Sequence, residues 1–186
     1  MSTKYKFADP NGIYFITSTV VGWVDVFTRE LYREILLGSI KYSQINKGML
    51  LHAWVLMTNH FHMVCSFGEN SNPGMVIKEL KSFVAMKVID AIINNKQESR
   101  RKWMLRIFEE AGKEKKNNYK YQFWTHENHP ILLDTEKKVE NAIDYTHFNP
   151  VKAGFVVNPE DWKYSSAVDY LVEGGKGLLK IDWIKY

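Results

Sequence analysis

A single cysteine, Cys65, is all the thiol chemistry this 186-residue chain carries. That excludes an intramolecular disulfide and a cysteine-built zinc cluster. A reducing interior compartment, the cytoplasm, is the expected location. Long apolar runs are missing as well: none approaches the roughly 18 residues that suggest a membrane span. The opening residues, Met1 to Phe7, lack the apolar stretch of a signal peptide, so none is expected. No internal repeat or low-complexity tract is visible. Charge of one sign is scarce too: 25 Lys and Arg stand against 21 Asp and Glu, a net +4. Such a balance permits a nucleic-acid partner without demanding one.

What is present is ordinary globular composition, 45% hydrophobic and 25% charged. The length suits one domain over residues 1–186. The 10 Phe, 6 Trp and 10 Tyr divide between core positions and stacking platforms for unpaired bases, and composition does not separate the two. One stretch departs from the average. Residues 96–120 hold nine basic side chains against four acidic ones. This reads as a mobile basic insertion, partly ordered around Trp103, Leu105, Ile107 and Phe108. A Trp/Tyr-rich tail follows from about residue 158.

Periodicity gives the elements. Residues 13–21 are β-branched and aromatic after the turn Pro10-Asn11-Gly12, a strand. Residues 28–47 repeat apolar side chains at helical spacing, with Thr28 as the expected N-cap and an end near Gly48. Residues 49–57 and 60–67 read as two strands around the two-residue break Thr58-Asn59, a tight antiparallel hairpin. Residues 75–95 form an amphipathic helix. A fourth strand is expected within 121–133 and a helix over 136–148, capped by Asp134 or Thr135. Asn149-Pro150 should end it, because proline disfavours helical geometry in the residue before it. The order predicts an α+β, ferredoxin-like sandwich, a mainly antiparallel sheet with helices packed on one face and the other face open to a ligand.

Two local patterns carry chemistry. In His60-Phe61-His62, strand geometry sends both imidazoles to one face and Phe61, Met63 and Cys65 to the core. Paired imidazoles begin a divalent-metal site; the plainer alternative is two half-exposed histidines at a strand entrance. In Tyr145-Thr146-His147-Phe148-Asn149-Pro150, Tyr145 and Asn149 lie one helical turn apart on one face. A half-buried tyrosine and a C-terminal cap would satisfy that pattern alone. Together the patterns supply two nitrogens and an oxygen for a metal, with a phenol one turn away as a nucleophile toward a phosphodiester.

The run Trp54-Val55-Leu56-Met57-Thr58-Asn59-His60-Phe61-His62-Met63-Val64 resembles the histidine-hydrophobe-histidine strand of the single-tyrosine HUH transposases. Asp144-Tyr145-Thr146-His147-Phe148-Asn149-Pro150-Val151-Lys152-Ala153-Gly154 resembles the catalytic-tyrosine helix of their REP-associated branch, and Trp162-Lys163-Tyr164-Ser165-Ser166 that branch's C-terminal signature. The resemblance spans about residues 10 to 170 with the motifs in order. It implies an HUH fold and a single-stranded DNA substrate, often beside a hairpin. It implies Mg²⁺ or Mn²⁺ held by His60 and His62, with a third ligand from the tyrosine helix. Insertion-sequence relatives place a glutamine there; this chain has Asn149, as the REP-associated branch does.

The implied reaction is nicking and rejoining of DNA through a 5′-phosphotyrosine link to Tyr145. The alternatives are a domesticated DNA-hairpin binder without cleavage and a replication-initiator or relaxase-like nickase. Either a monomer or a homodimer fits the resemblance. Lys78, Lys81, Arg100, Arg101 and Lys102 are the candidate phosphate contacts, against the plainer reading of solvated surface. His126 and His129 bracket a strand end, where loop or core roles are favoured over a second metal site. His52 and Cys65 read as structural.

Overall fold

The computed structural model describes residues 7–113, 120–125 and 130–184. In chain order the elements are β1 (Tyr14–Thr19), α1 (Glu30–Asn46), β2 (Met49–Leu56), β3 (His60–Phe67), α2 (Pro73–Asn94), α3 (Arg101–Lys113), β4 (Ile131–Leu132), α4 (Glu136–Lys152) and α5 (Ala167–Leu171). The sheet runs β2-β3-β1-β4 and each pair is antiparallel. This is the α+β architecture expected from the sequence.

The β2–β3 hairpin turns on Thr58-Asn59, closed by the Met57 amide donating to the His60 carbonyl at 2.8 Å. Between α1 and β2 the chain reverses at Gly48, whose φ of +67° is the left-handed geometry of a helix end. The Ser71 hydroxyl stands where a β-carbon would be, so only glycine fits. Helix α2 starts on Pro73, with Asn72 accepting from the Met75 amide at 3.0 Å.

Alternation along β3 divides the core. Phe61, Met63 and Cys65 face α1 and α2, packing with Tyr32, Leu36, Val84 and Val88. The other face is not open. Helix α4 crosses it, closing Val139 with Ala142 and Ile143 over Ala53, Val64 and Phe15. The reason lies in β2, which is buried at every position but Leu50 and so needs cover on both faces.

Other expectations change at their edges. Helix α1 begins at Glu30 with Arg29 at the N-cap, and Thr28 instead bonds the Asp25 carbonyl. The fourth strand shrinks to Ile131–Leu132, with Trp124 making one isolated bridge to Val20. Helix α4 does not stop before Pro150 but continues to Lys152. Proline removes one amide from the last turn, and Ala153 N–H still reaches the Asn149 carbonyl at 3.0 Å. From residue 164 the tail lies along the outer edge of β2. Leu56 N–H bonds the Tyr164 carbonyl, Ser166 N–H the Trp54 carbonyl, and Asp182 N–H the Leu51 carbonyl.

The basic segment departs most from expectation. Its described part is helix α3, and Met104 and Phe108 are fully buried in the main core. Glu98, with its side chain wholly buried, holds Arg100 and Arg29, and Arg100 also pairs with Asp25 at 2.9 Å. The charge count hid an amphipathic helix whose apolar stripe is short. Phe108→Ala should therefore cost about 3–5 kcal/mol of unfolding free energy. Urea denaturation measures this, and a change below about 1 kcal/mol would show that Phe108 does not anchor the segment to the core.

Candidate active site

Register builds the site. Antiparallel pairing sets His60 opposite Thr19, and His62 opposite Thr17 and Val55. The two imidazoles thus project together, with ring centres 4.9 Å apart. Each has its Nδ1 engaged: His60 with Asn59 Oδ1 at 2.6 Å, His62 with Thr17 Oγ1 at 2.8 Å. Since Asn59 Oδ1 only accepts, His60 Nδ1 carries the proton and Nε2 keeps its lone pair.

Helix α4 brings the second group. Tyr145 lies edge-on to His62 at 5.3 Å and to Phe15 at 5.8 Å, and Phe15 stacks on His62 at 5.2 Å. One turn on, Asn149 reaches His60, and its side chain favours the charged form of that ring. Because α4 continues through Pro150, Asn149 sits inside the helix and stays on the face of Tyr145. Tyr145 is 44% exposed. Lys152, two turns beyond, holds its ammonium 5.3 Å from the centre of that ring.

The electrostatics favour neutral imidazoles. Burial, with some repulsion from His60, drives the His62 pKa down to about 3. Burial also lowers His60, and the Asn149 side chain offsets part of the effect. Both rings are thus in the form that binds metal. Among the described residues no three His, Cys, Asp or Glu side chains gather to hold an ion. A metal here would therefore rest on two imidazoles and a non-titrating oxygen, a set that fits a divalent ion with positions left for a substrate.

The expectation that both imidazoles face outward holds for only one. His60 is half-buried, but His62 is 5% exposed, because α4 and Phe15 cover it. His147 points away from the site, as its position implies, and bonds Ser166 Oγ at 2.8 Å. His52 bonds the Asp182 carbonyl and Ser66, and Cys65 is buried. His126 and His129 lie outside the described residues.

The basic candidates do not gather at the imidazoles. Lys78 and Lys81 line a groove of about 980 Å³ between α2 and residues 120–125, which reaches the sheet edge at Thr17. Burial lowers Lys81 to about 8. Arg100 is committed to Glu98 and Asp25, Arg101 reaches the Ile93 carbonyl at 3.4 Å, and Lys102 is exposed.

No protein-family model matches the chain. Among curated proteins, a stretch is 39% identical over 59 residues to the putative REP-associated tyrosine transposase of Haemophilus influenzae, 27% of this chain and 31% of that one. Another is 32% identical over 68 residues to the REP-associated tyrosine transposase of Escherichia coli, covering 37% of this chain and 36% of that one. The matches thus span about a third of each relative. In three dimensions the chain superposes on a solved REP-associated tyrosine transposase bound to a REP hairpin, with TM-score 0.66 and 18% identity, over 100% of this chain and 93% of that one. The chain resembles the REP-associated tyrosine transposases. With them it shares the HUH fold. No helix among the described residues is long and apolar enough to cross a membrane.

Against that resemblance, three side chains at the site went unread in the sequence. Thr17 and Asn59, the partners of the histidines, passed as strand and turn residues. Lys152 lay beyond the expected end of the helix, although its spacing of seven from Tyr145 was visible.

In metal-free protein the His62 ring should stay neutral down to about pH 3. The unfolded chain takes that proton near pH 6.5, so the contribution to stability is complete above 6.5 and falls as pH drops toward 3, by at most about 1.4 kcal/mol per pH unit. An NMR titration of the ring reads this, and an ordinary midpoint near 6.5 would show the site open to water.

Proposed function

We propose that this protein is a metal-dependent transposase that nicks and rejoins single-stranded DNA near hairpins, with Tyr145 as the nucleophile. The observation that carries the reading is the placement of Tyr145 and Asn149, one turn apart on α4, against the paired imidazoles of β3. The solved relative bound to a REP hairpin supports a nucleic-acid hairpin as the kind of partner.

His60, His62 and Asn149 would hold Mg²⁺ or Mn²⁺. Two nitrogen donors suit Mn²⁺ better, since Mg²⁺ favours oxygen ligands. When bound, such an ion polarises the phosphate and stabilises negative charge on its oxygens.

The rest falls to the chain. Phe15 and His62 hold the Tyr145 ring edge-on while leaving the residue exposed. The Lys152 ammonium stabilises a phenolate and offers a positive charge to a phosphate oxygen. The Tyr145 oxygen forms the new bond to phosphorus, the bond to the 3′-oxygen breaks, and the phenol's proton ends on that oxygen. No water is consumed, so the phosphotyrosine retains the bond energy for rejoining.

Tyr145→Phe keeps the ring and its packing, so it should bind single-stranded DNA about as well as the parent and form no adduct. A strand labelled at its 3′ end and drawn from the gene's own flanks, incubated with Mn²⁺, reports the covalent complex on a denaturing gel. Adduct persisting in the Phe variant moves the nucleophile to another tyrosine. No adduct in the parent across several flanking sequences favours a hairpin binder.

The metal assignment is tested separately by calorimetry. His60→Ala and His62→Ala should each lower Mn²⁺ affinity at least tenfold, in line with loss of a direct ligand. Unchanged binding in the double variant would remove the ion from this site.

A further inference from the structure

Beside the imidazoles, the loop after β1 holds one residue in a costly shape. Trp23 has φ of +55°, the one non-glycine positive φ among the described residues. Bulky side chains rarely adopt this geometry, and strain of this kind persists only where the surroundings impose it. The surroundings are explicit. Trp23 N–H bonds the Val20 carbonyl at 3.1 Å, Val21 N–H the Phe123 carbonyl at 2.9 Å, and Val20 N–H the Asn59 carbonyl at 2.9 Å. The preceding Gly22 also has positive φ, and Ile107 of α3 sits where its β-carbon would lie.

The fold gains no burial in return. The Trp23 side chain is 68% exposed, and its ring meets His60 edge-on at 6.2 Å. Asn59 joins the two. Its Oδ1 accepts from His60 Nδ1 at 2.6 Å and its Nδ2 donates to the Trp23 carbonyl at 3.3 Å. One side chain therefore sets both the His60 ring and the position of the indole.

We infer that Trp23 is a stacking platform for an unpaired base of the DNA strand, at a nucleotide next to the phosphate attacked at Tyr145. The inference rests on the functional reading above and adds a positioning residue to it. A rigid aromatic face, held out to solvent at the rim of a phosphate-handling site, suits a base, which offers a flat face whatever its identity. The contact is thus tolerant of sequence and fixes the strand's position.

The strain supplies the test, because platform and structural residue predict opposite signs. Trp23→Gly removes the conformational penalty and little burial, so its melting temperature should equal or exceed the parent's. Its affinity for flanking single strands, read by fluorescence anisotropy in the non-cleaving Tyr145→Phe background, should fall about tenfold. Trp23→Phe should keep most of the affinity, and Trp23→Leu should lose it. An abasic site moved along the strand should weaken the parent sharply at one position and the Gly variant no further there.

A lower melting temperature in Trp23→Gly with unchanged affinity would make the residue structural and overturn the inference. So would equal binding by all variants, or a parent that binds no single strand. The two readings fail separately. Abasic coupling at Trp23 without any tyrosine adduct keeps the platform and removes the cleavage. Adduct formation that is indifferent to Trp23 does the reverse.

Discussion

The contact on which the site depends is a small one: Val139, Ala142 and Ile143 of α4 laid over Ala53, Val64 and Phe15 of the sheet. Ala53 has no side chain beyond its β-carbon, so the helix can come close to β2. That approach decides whether Tyr145 and Asn149 stand over the histidines or beside them. The far face, with α1, α2 and α3, contains most of the buried apolar surface and provides the platform. The near face holds less apolar material and all of the candidate chemistry. Its polar groups are kept in place by hydrogen bonds instead: Thr17 on His62, Asn59 on His60, Ser166 on His147.

Much of this was legible in the sequence. Period-two alternation through His60, Phe61 and His62 gave the shared face of the imidazoles, and period four gave Tyr145 and Asn149 on one side of a helix. Joining the two pairs into one site was a reading of complementary chemistry that the resemblance to a family then reinforced, since neither period says which face meets which. The cover over His62 was not legible, because it comes from a helix some 80 residues downstream in the chain. Nor was Trp23: a positive φ on tryptophan has no signature in sequence beyond the glycine before it.

The misreadings have physical causes. Charge counting over residues 96–120 weighs every side chain equally, whereas folding weighs Met104 and Phe108, which bury fully, against cations that remain in water. Arg100 was counted as available positive charge, but its guanidinium is spent on Glu98 and Asp25. Pro150 was expected to push Asn149 out of helical geometry, but that preference is a bias, and α4 keeps Asn149 helical and runs on to Lys152.

The segment from Tyr164 to Ser166, with Asp182, occupies the hydrogen-bonding groups along the exposed side of β2. A strand so occupied is closed to edge-to-edge pairing with a second copy of the chain. Tyr145, Asn149, His60 and His62 meanwhile meet within one copy. The four side chains that make up the candidate site therefore all come from a single chain, and dilution would leave their grouping intact.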